Sequence, residues 1–261
     1  MLSAFLITNV KGATLTEAEY NRLKLVFNDF RISAMSDEDA QKFLSTDLEN
    51  NKKVSKYYRV TETTNGTTTT EVSKEEATNA ANNILMTQSE SHTTSYKNLE
   101  ISAMKSGTNA YLIDITVLWL ISPYIKSYDV FAMRTDDATI IEGTQEGTQG
   151  YVYKNGTTGY INYSYNGTNM LKASNGFGIS MNLLDAAYTY QCNITALVRA
   201  TTEWATVYGS YQHAATNVTL AQSKSYTISH NGYGKVINFA TAVQNHYDGM
   251  QGVSIALDYT A

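Results

Sequence analysis

Histidine is the side chain best suited to proton transfer or metal binding near neutral pH, and this chain of 261 residues contains four. They are His92, His213, His230 and His246. No two of them are four residues apart, and Cys192 is the single cysteine, so no metal-ligand spacing is present. His246 lies two residues before Asp248, but Gly249 and Gly252 favour a turn in which such side chains bond the backbone. We therefore predict no metal, no cofactor and no catalytic residue.

Serine and carboxylate side chains leave one enzymatic alternative open. A serine hydrolase would carry a Gly-x-Ser-x-Gly turn, whereas residues 209–211 read Gly-Ser-Tyr within a strand pattern. A glycosidase needs two carboxylates that face one cleft. Asp114 and Glu203 lie beside aromatic strand residues, which would raise a carboxyl pKa, and Trp204 follows Glu203. A carbohydrate-active enzyme therefore stays an alternative, although a non-enzymatic role is favoured.

Tyrosine is the most distinctive residue type of the sequence, with 20 copies. In several places two tyrosines are separated by one residue, which puts both on the same face of a strand. Such pairs pack across strands and stabilise a sheet. If exposed, they would instead give rigid contact area with a hydrogen-bonding tip for a sugar or a protein. The candidate binding residues are Tyr151, Tyr153, Tyr163, Tyr165 and Trp204.

Charge and hydropathy argue against two classes of partner. The chain has 19 basic and 24 acidic residues, a net charge of −5, and the basic residues are not clustered. Nucleic acid and an anionic membrane surface are therefore not expected partners. The apolar stretch Ala110–Ile121 is interrupted by Asp114 and Thr116, which indicates a buried strand and no membrane span. Met1–Val10 lacks a basic n-region, so we interpret it as a strand or packing arm.

From Thr94 onward apolar and polar residues alternate, which is the period of a half-buried strand. The clearest sets span 99–103, 111–119, 130–132 and 188–198. The last set contains Cys192, which we interpret as a buried strand residue. Turn pairs such as Asn155-Gly156 and Asn231-Gly232 separate the strands at a spacing typical of sandwiches and barrels. The predicted fold class is mainly β, an antiparallel β-sandwich with a small N-terminal helical and hairpin region.

Residues 1–90 differ from the rest in holding 23 of the 43 charged side chains. A helix start signal, Ser or Thr followed three residues later by an acidic residue, occurs at Thr16, Ser36 and Ser73. These signals predict three short helices, the first over about residues 16–30. Asn65-Gly66 predicts the turn of a protruding hairpin. We divide the chain into a helical and β-hairpin region, 1–90, packed on a β-sandwich domain, 91–261.

Five short segments are distinctive as they stand. They are Glu19–Leu23 (EYNRL), Ser91–Lys97 (SHTTSYK), Lys126–Val130 (KSYDV), Tyr211–Ala214 (YQHA) and Tyr247–Val253 (YDGMQGV). Together they resemble a loose group of uncharacterised secreted proteins of low-GC Gram-positive bacteria. The resemblance implies export and a bacterial origin, and it carries over no site residue. An extracellular or cell-surface location is the expectation that follows.

Three functions follow from these patterns. The first is a non-enzymatic extracellular or surface protein that acts by binding, adhesion or assembly, with a protein or glycan surface, or a second copy in a homo-oligomer, as partner. The second is a virion or filament structural protein that polymerises by strand addition through Met1–Val10 and Val253–Tyr259. The third is the carbohydrate-active enzyme on a β-sandwich, which would need Asp114 or Glu203 in one cleft with an aromatic side chain.

Overall fold

The computed structural model describes residues 12–63, 66–82, 92–230, 236–249 and 251–261. Strands make up 53% and helices 16% of the structure, and the sheets are antiparallel. The predicted fold class, mainly β with an antiparallel sandwich, is confirmed, and a few short helices accompany the sheets. The predicted arm Met1–Val10 and the predicted turn Asn231-Gly232 lie outside the described residues.

The elements of the described residues are numbered here in chain order. The strands are β1 (Asp47–Thr63), β2 (Gly66–Val72), β3 (His92–Gly107), β4 (Ala110–Ile121), β5 (Tyr128–Asp136), β6 (Ala138–Ile140), β7 (Glu146–Tyr153), β8 (Thr158–Tyr163), β9 (Met170–Ala173), β10 (Gly176–Asn182), β11 (Ala187–Ala200), β12 (Thr206–Gln212), β13 (Tyr226–Ile228), β14 (Ile237–Phe239) and β15 (Gln251–Ala256). The helices are α1 (Glu17–Leu23), α2 (Asp29–Ser33), α3 (Asp37–Leu44), α4 (Lys74–Asn82), α5 (Leu220–Ser223) and α6 (Thr241–Gln244).

Two sheets face each other. The large sheet has the strand order β2-β1-β3-β4-β11-β7-β8, with β6 paired to β11, and the small sheet has the order β15-β12-β5-β10-β9. A separate two-stranded sheet pairs β13 with β14. Neighbours in the large sheet include strands far apart in sequence, such as β4 and β11, so the sandwich forms only when distant segments meet.

The core between the two sheets follows from strand alternation. Ile101, Ile115 and Cys192 of the large sheet belong to one buried apolar cluster with Phe131 of the small sheet. The interpretation of Cys192 as a buried strand residue is confirmed, since it has no exposed surface. A Cβ atom at Gly209 would lie 2.6 Å from Cδ1 of Ile115, so the close approach of the two sheets requires glycine there.

Each sheet is also covered on its outer face. Leu23 and Phe43, from α1 and α3, belong to a buried cluster with Leu112 of β4, so the N-terminal helices cover the large sheet. Val130 of β5 belongs to a third cluster with Ile237 of β14, so the C-terminal segment covers the small sheet. The described residues therefore form four layers, in which both sheets are buried on two faces.

The first predicted helix is divided into two. Thr16 and Ser36 form the capping boxes expected from the sequence. However, α1 ends at Leu23, and the predicted span 16–30 is wrong because a second helix begins after Asn28. The Asn28 side chain accepts a hydrogen bond of 2.8 Å from the backbone N–H of Arg31, which is a helix cap in its own right.

The predicted hairpin is part of the large sheet. Strand β1 pairs with β2 on one side and with β3, from Asp47 to Thr63, on the other. It therefore does not protrude, because its second edge is occupied by β3 along most of its length. Strands β1 and β2 thus belong to the sandwich by hydrogen bonding, and the division of the chain near residue 90 stays a prediction.

Candidate functional site

Five ionisable side chains meet at one end of the sandwich core. Glu62 lies near the end of β1, Lys97 near the start of β3 and Asp129 at the start of β5. Each lies two residues from a core residue of its own strand, so alternation turns all three side chains into the space between the sheets. His213 follows β12, and Asp248 precedes β15. All five are buried, with Glu62 the most exposed at 7%. We call these five residues the ionic cluster.

His213 is held between two carboxylates. Its Nδ1 lies 3.0 Å from both carboxylate oxygens of Asp129, and its Nε2 lies 3.5 Å from Oε1 of Glu62. Burial opposes a positive charge on the ring, but the charge and hydrogen bonds of Asp129 outweigh it and raise the pKa of His213 to about 9. The imidazole is therefore an imidazolium at neutral pH.

Lys97 is paired with Asp248 away from water. Lys97 Nζ lies 3.2 Å from Oδ2 of Asp248, and the two side chains are 1% and 0% exposed. Burial lowers the pKa of Lys97, and the carboxylates of Asp248 and Asp129 only partly offset that effect. The aspartate is fixed by two further bonds, from the backbone N–H of His213 to Oδ1 and from the hydroxyl of Thr69 to Oδ2, each 2.8 Å long.

Glu62 ties the end of β1 to the turn before β5. Its carboxylate accepts hydrogen bonds from the backbone N–H groups of Tyr124, at 2.9 Å, and Ile125, at 3.1 Å. Burial alone would raise the pKa of Glu62, but the contact with His213 and these two N–H groups lower it below its usual range. The carboxylate is therefore ionised and has partners on every side that the structure describes.

Aromatic rings enclose the ionic cluster. The indole N–H of Trp119 donates a hydrogen bond of 3.1 Å to the hydroxyl of Tyr211, which itself donates to Asp129. Lys97 Nζ lies 4.8 Å from the ring centroids of both Trp119 and Tyr211, a distance at which the ring faces attract a cation. These rings have almost no exposed surface. The side chains of the ionic cluster therefore contact one another and the enclosing rings, and have little contact with solvent.

An open cleft lies beside the ionic cluster. It has a volume of about 570 Å³ and is formed by the start of β2, the segment after β12, β14, and residues 244–249. Among the described residues that line it, Asp248 is the one charged residue, and its carboxylate is bonded within the cluster. Its exposed or half-buried polar side chains are amides and hydroxyls: Thr67, Thr216, Asn238, Gln244 and Asn245. The buried amide of Gln212 also lines it. The stacked rings of Phe239 and Tyr247, 4.1 Å apart, form part of the wall.

The five candidate binding residues are placed differently from one another. Tyr151 and Tyr163 are 1% and 7% exposed, so burial removes them from any contact surface. Tyr153 packs edge-on against Tyr151, and Tyr165 bonds to Glu142 while its ring lies 3.6 Å from Lys172 Nζ. These four lie on β7, β8 and the turn after them. Trp204 lies apart, in the turn between β11 and β12, and is 73% exposed. Binding by Tyr153, Tyr165 and Trp204 stays a prediction.

The acids of the enzymatic alternative do not share a cleft. Asp114 is 3% exposed, and its carboxylate pairs with Arg31 of α2 at 3.1 Å. Glu203 is exposed in the turn between β11 and β12. Because Asp114 is closed off from solvent beneath the helix layer, the two carboxylates cannot face one open site. In the described part of the chain, no three His, Cys, Asp or Glu side chains are grouped to hold a metal ion.

The ionic cluster was missed in the sequence, although one signal pointed to part of it. The alternating set that begins at Leu99, extended one step back, turns Lys97 inward. An inward lysine on a core strand needs a buried partner. The sequence spacing singled out His246, which lies two residues before Asp248, and gave no signal at His213. In the structure, Nδ1 of His246 contacts the hydroxyl of Thr216 at the surface. The partners of Lys97 come from other strands, so spacing alone does not reveal them.

Comparisons with known proteins give no family. No family model matches the sequence, and no curated protein matches it significantly. Similar solved structures include the enzymatically active domain of bacteriophage CBA120 tailspike protein 4 (12% identity, TM-score 0.22) and the C-terminal domain of the Streptococcus agalactiae AgI/II polypeptide BspA (7% identity, TM-score 0.27). The first match covers 41% of this chain and 15% of that chain, and the second covers 45% and 53%.

A third similar structure is described as a pore forming protein, with 7% identity and a TM-score of 0.28 over 78% of this chain and 95% of that chain. All three TM-scores lie far below 0.5, so function has to be inferred from the residues of this chain. No helix within the described ranges is long and apolar enough to cross a membrane.

Proposed function

We propose that this chain is a non-enzymatic binding protein of an extracellular or cell-surface setting, and that its binding site is the open cleft beside the ionic cluster. The observation that carries the proposal is that the exposed side chains of the described residues lining this cleft are uncharged. Its exposed side chains are amides and hydroxyls, which donate and accept hydrogen bonds but do not transfer protons at neutral pH.

The arrangement of charges supports binding over catalysis. General acid–base chemistry needs a titratable group within hydrogen-bond reach of the substrate. Asp248, the acid nearest the cleft, has no exposed side-chain surface and is bonded to Lys97, Thr69 and the backbone of His213. The cleft therefore offers orientation and hydrogen bonding to a neutral polar partner. Its volume of about 570 Å³ lies within the usual range for small-ligand sites, about 300–1,000 Å³.

The test removes the amides of the cleft. A binding screen against neutral glycans and extracellular matrix proteins identifies a partner, and titration calorimetry then compares the wild type with the double variant Gln244→Ala/Asn245→Ala. Loss of two hydrogen bonds of about 1 kcal/mol each is expected to weaken binding at least tenfold. Asn217→Ala, an exposed amide that does not line the cleft, is the matched control. A partner bound equally well by the double variant would show that the cleft is not the site.

Assembly through β8 is a second candidate function, favoured by the edges of the sheets. Strand β8 pairs with β7 on one side and forms no other strand pairing among the described residues. The filament hypothesis places strand addition at the C-terminal segment Val253–Tyr259, most of which lies in β15. Side chains of β1 contact backbone carbonyl groups of β15 and hinder the addition of another strand there. The hydroxyl of Tyr58 donates to the carbonyl of Gly252, and Lys52 Nζ donates to the carbonyl of Ala256, both at 3.3 Å. Strand addition is therefore easier at β8 than at β15.

Light scattering across a concentration series tests assembly. If β8 mediates it, Asn162→Lys, at an exposed position of that strand, should lower the average mass, because lysine on an edge strand opposes pairing. Ser254→Lys, at an exposed position of β15, is the matched control and should leave the mass unchanged. A wild type that stays monomeric at every concentration would rule this candidate out.

A further inference from the structure

We propose that Lys97 and Asp248 become joined by an isopeptide bond between Nζ of the lysine and Cγ of the aspartate, a covalent link between the two sheets of the sandwich. This inference is independent of what the cleft binds, since it concerns only groups inside the ionic cluster. The two groups are close together and buried, each oxygen of Asp248 has a suitable partner, and a neighbouring carboxylate can carry the proton. Other lysine–aspartate pairs of the chain lack this combination.

The reacting groups are already in contact. Lys97 Nζ lies 3.2 Å from Oδ2 of Asp248, an oxygen bonded to the Cγ atom that the amine would attack, so the two reacting groups are held side by side. Lys97 is on β3 of the large sheet, and Asp248 lies three residues before the start of β15 of the small sheet. The hydrogen bonds to Asp248 from Thr69 and from the backbone of His213 fix the carboxyl group against rotation. The entropy cost of orienting two side chains normally opposes amide formation between them. Here the fold already holds both groups in place.

Burial converts an unreactive ion pair into reactive neutral groups. An ammonium ion is no nucleophile, and a carboxylate is a poor electrophile. With 1% and 0% of the two side chains exposed, transfer of one proton from lysine to aspartate removes two buried charges. Burial also lowers the pKa of Lys97, which favours the amine. The surrounding rings of Trp119 and Tyr211 exclude the water that would reverse the reaction.

Each carboxyl oxygen of Asp248 has a partner suited to a different role. Oδ1 accepts the backbone N–H of His213 at 2.8 Å, so negative charge that develops on this oxygen during attack is stabilised. Oδ2 faces both Lys97 Nζ and the hydroxyl of Thr69. Oδ1 therefore becomes the amide oxygen, and Oδ2 departs as water.

The reaction is a condensation that balances without an external reagent. The ammonium gives one proton to the carboxylate, and the resulting amine attacks Cγ, forming the N–C bond. The surplus proton on nitrogen is carried to Oδ2 by a neighbouring carboxylate, and the C–Oδ2 bond breaks to release one water. Asp129, whose charge acts on Lys97 more strongly than that of Glu62, is the carboxylate assigned to this role. The carrier is regenerated, and no electron is transferred.

Other lysine–aspartate pairs of the chain show that short distance alone is insufficient. Lys24 with Asp29, at 2.5 Å, and Lys52 with Asp258, at 2.6 Å, are closer than the buried pair. Their side chains are between 38% and 69% exposed. Both groups of such pairs remain charged and hydrated, so they do not condense. Burial within the ionic cluster, in addition to proximity, singles out Lys97 and Asp248.

Intact-mass spectrometry of the full chain under denaturing conditions tests the bond directly. The wild type is expected to weigh about 18 Da less than its sequence, the mass of one water, and a protease digest should contain a branched fragment that joins residues 97 and 248. This measurement requires no substitution, so folding of a variant is not at issue. The full sequence mass in the folded wild type, after prolonged incubation at physiological temperature, would overturn the proposal.

Three variants assign the deficit to its atoms. Lys97→Met should have its full sequence mass, because the nucleophile is gone. Asp248→Asn should still form the bond but release ammonia, so its deficit becomes about 17 Da. The matched control Lys52→Met, which removes a solvent-exposed pair, should keep the deficit of about 18 Da. A deficit that persists in Lys97→Met, or one that stays at 18 Da in Asp248→Asn, would overturn the assignment.

Discussion

Ionisable side chains are rarely buried, because removal of a charge from water costs several kcal/mol unless a partner compensates for it. The ionic cluster compensates its charges within itself, with three carboxylates around Lys97 and His213. Its hydrogen bonds extend to Thr69, Tyr211 and backbone N–H groups of two different segments, residues 124–125 and 213–214. At the scale of single residues, the cluster therefore makes stability depend on protonation more strongly than the modest net charge suggests.

The protonation of His213 should appear in the pH dependence of stability. Its folded-state pKa of about 9 lies above the usual histidine value of 6.5, so the folded protein binds this proton more tightly than the unfolded chain. The contribution, about 3 kcal/mol, is fully present below pH 6.5 and is lost as the pH rises through about 9. Urea unfolding of the wild type at about pH 6 and about pH 9.5 measures the loss.

His213→Asn is the comparison for this measurement. Asparagine keeps a donor near Asp129 but does not titrate, so the variant should lack this component of the pH dependence. The groups that face the imidazole are Asp129, Glu62 and, more weakly, Asp248. Equal pH slopes in the wild type and in the variant would contradict the assignment of the raised pKa to His213.

At the scale of elements, one buried ion pair fastens the helix layer to the large sheet. Arg31 of α2 is 4% exposed and pairs with Asp114 of β4 at 3.1 Å. The hydroxyl groups of Thr116 and Thr195 also donate to Asp114, so the carboxylate is held from both the helix and the sheet. Loss of the arginine would leave a buried carboxylate without its cation.

Arg31→Met is therefore expected to destabilise the protein by about 3–5 kcal/mol, measured by urea unfolding. The double variant Arg31→Met/Asp114→Leu removes both charges and should recover part of that loss, because no buried charge is left unpaired, although the hydroxyl of buried Thr195 loses its acceptor. Lys24→Met is the control, since Lys24 and Asp29 form an exposed pair whose loss should cost less than about 1 kcal/mol. A double variant as unstable as Arg31→Met would refute this account.

At the scale of the whole molecule, a bond between Lys97 and Asp248 would close a loop that includes most of both sheets. A cross-link stabilises a fold mainly by restricting the unfolded chain, and a loop of about 150 residues corresponds to about 5 kcal/mol. The covalently closed loop would then include strands of both sheets, on which the helix layer and the cleft are built. Such a frame resists unfolding even where single layers open.

The melting temperature should separate the bond from the charges of its two residues. Lys97→Met and Asp248→Asn both abolish the ion pair, but only Asp248→Asn is expected to form the isopeptide bond. Calorimetry should therefore find Lys97→Met melting well below the wild type and Asp248→Asn melting close to it. Equal melting temperatures for the two variants would contradict a stabilising cross-link.

Local features of the fold were predictable because their causes are local. The capping boxes at Thr16 and Ser36 are hydrogen bonds between residues three apart, and the structure contains both. Alternation over 111–119 and 188–198 identified strands that lie side by side in the large sheet. The prediction of one helix over 16–30 was wrong, because the Asn28 cap competes with continuation of the helix.

The candidate site was decided by tertiary structure. Period-two alternation already determines that Lys97 points toward a core, since the sequence itself sets which strand face is apolar. That this core end also contains Asp129, His213 and Asp248 depends on pairings between distant strands, which no local pattern encodes. The amino-acid sequence alone therefore determined the β-sandwich and the inward direction of the lysine. Only the packing of the two sheets decided its partner, because burial and proximity arise when separate segments are brought together.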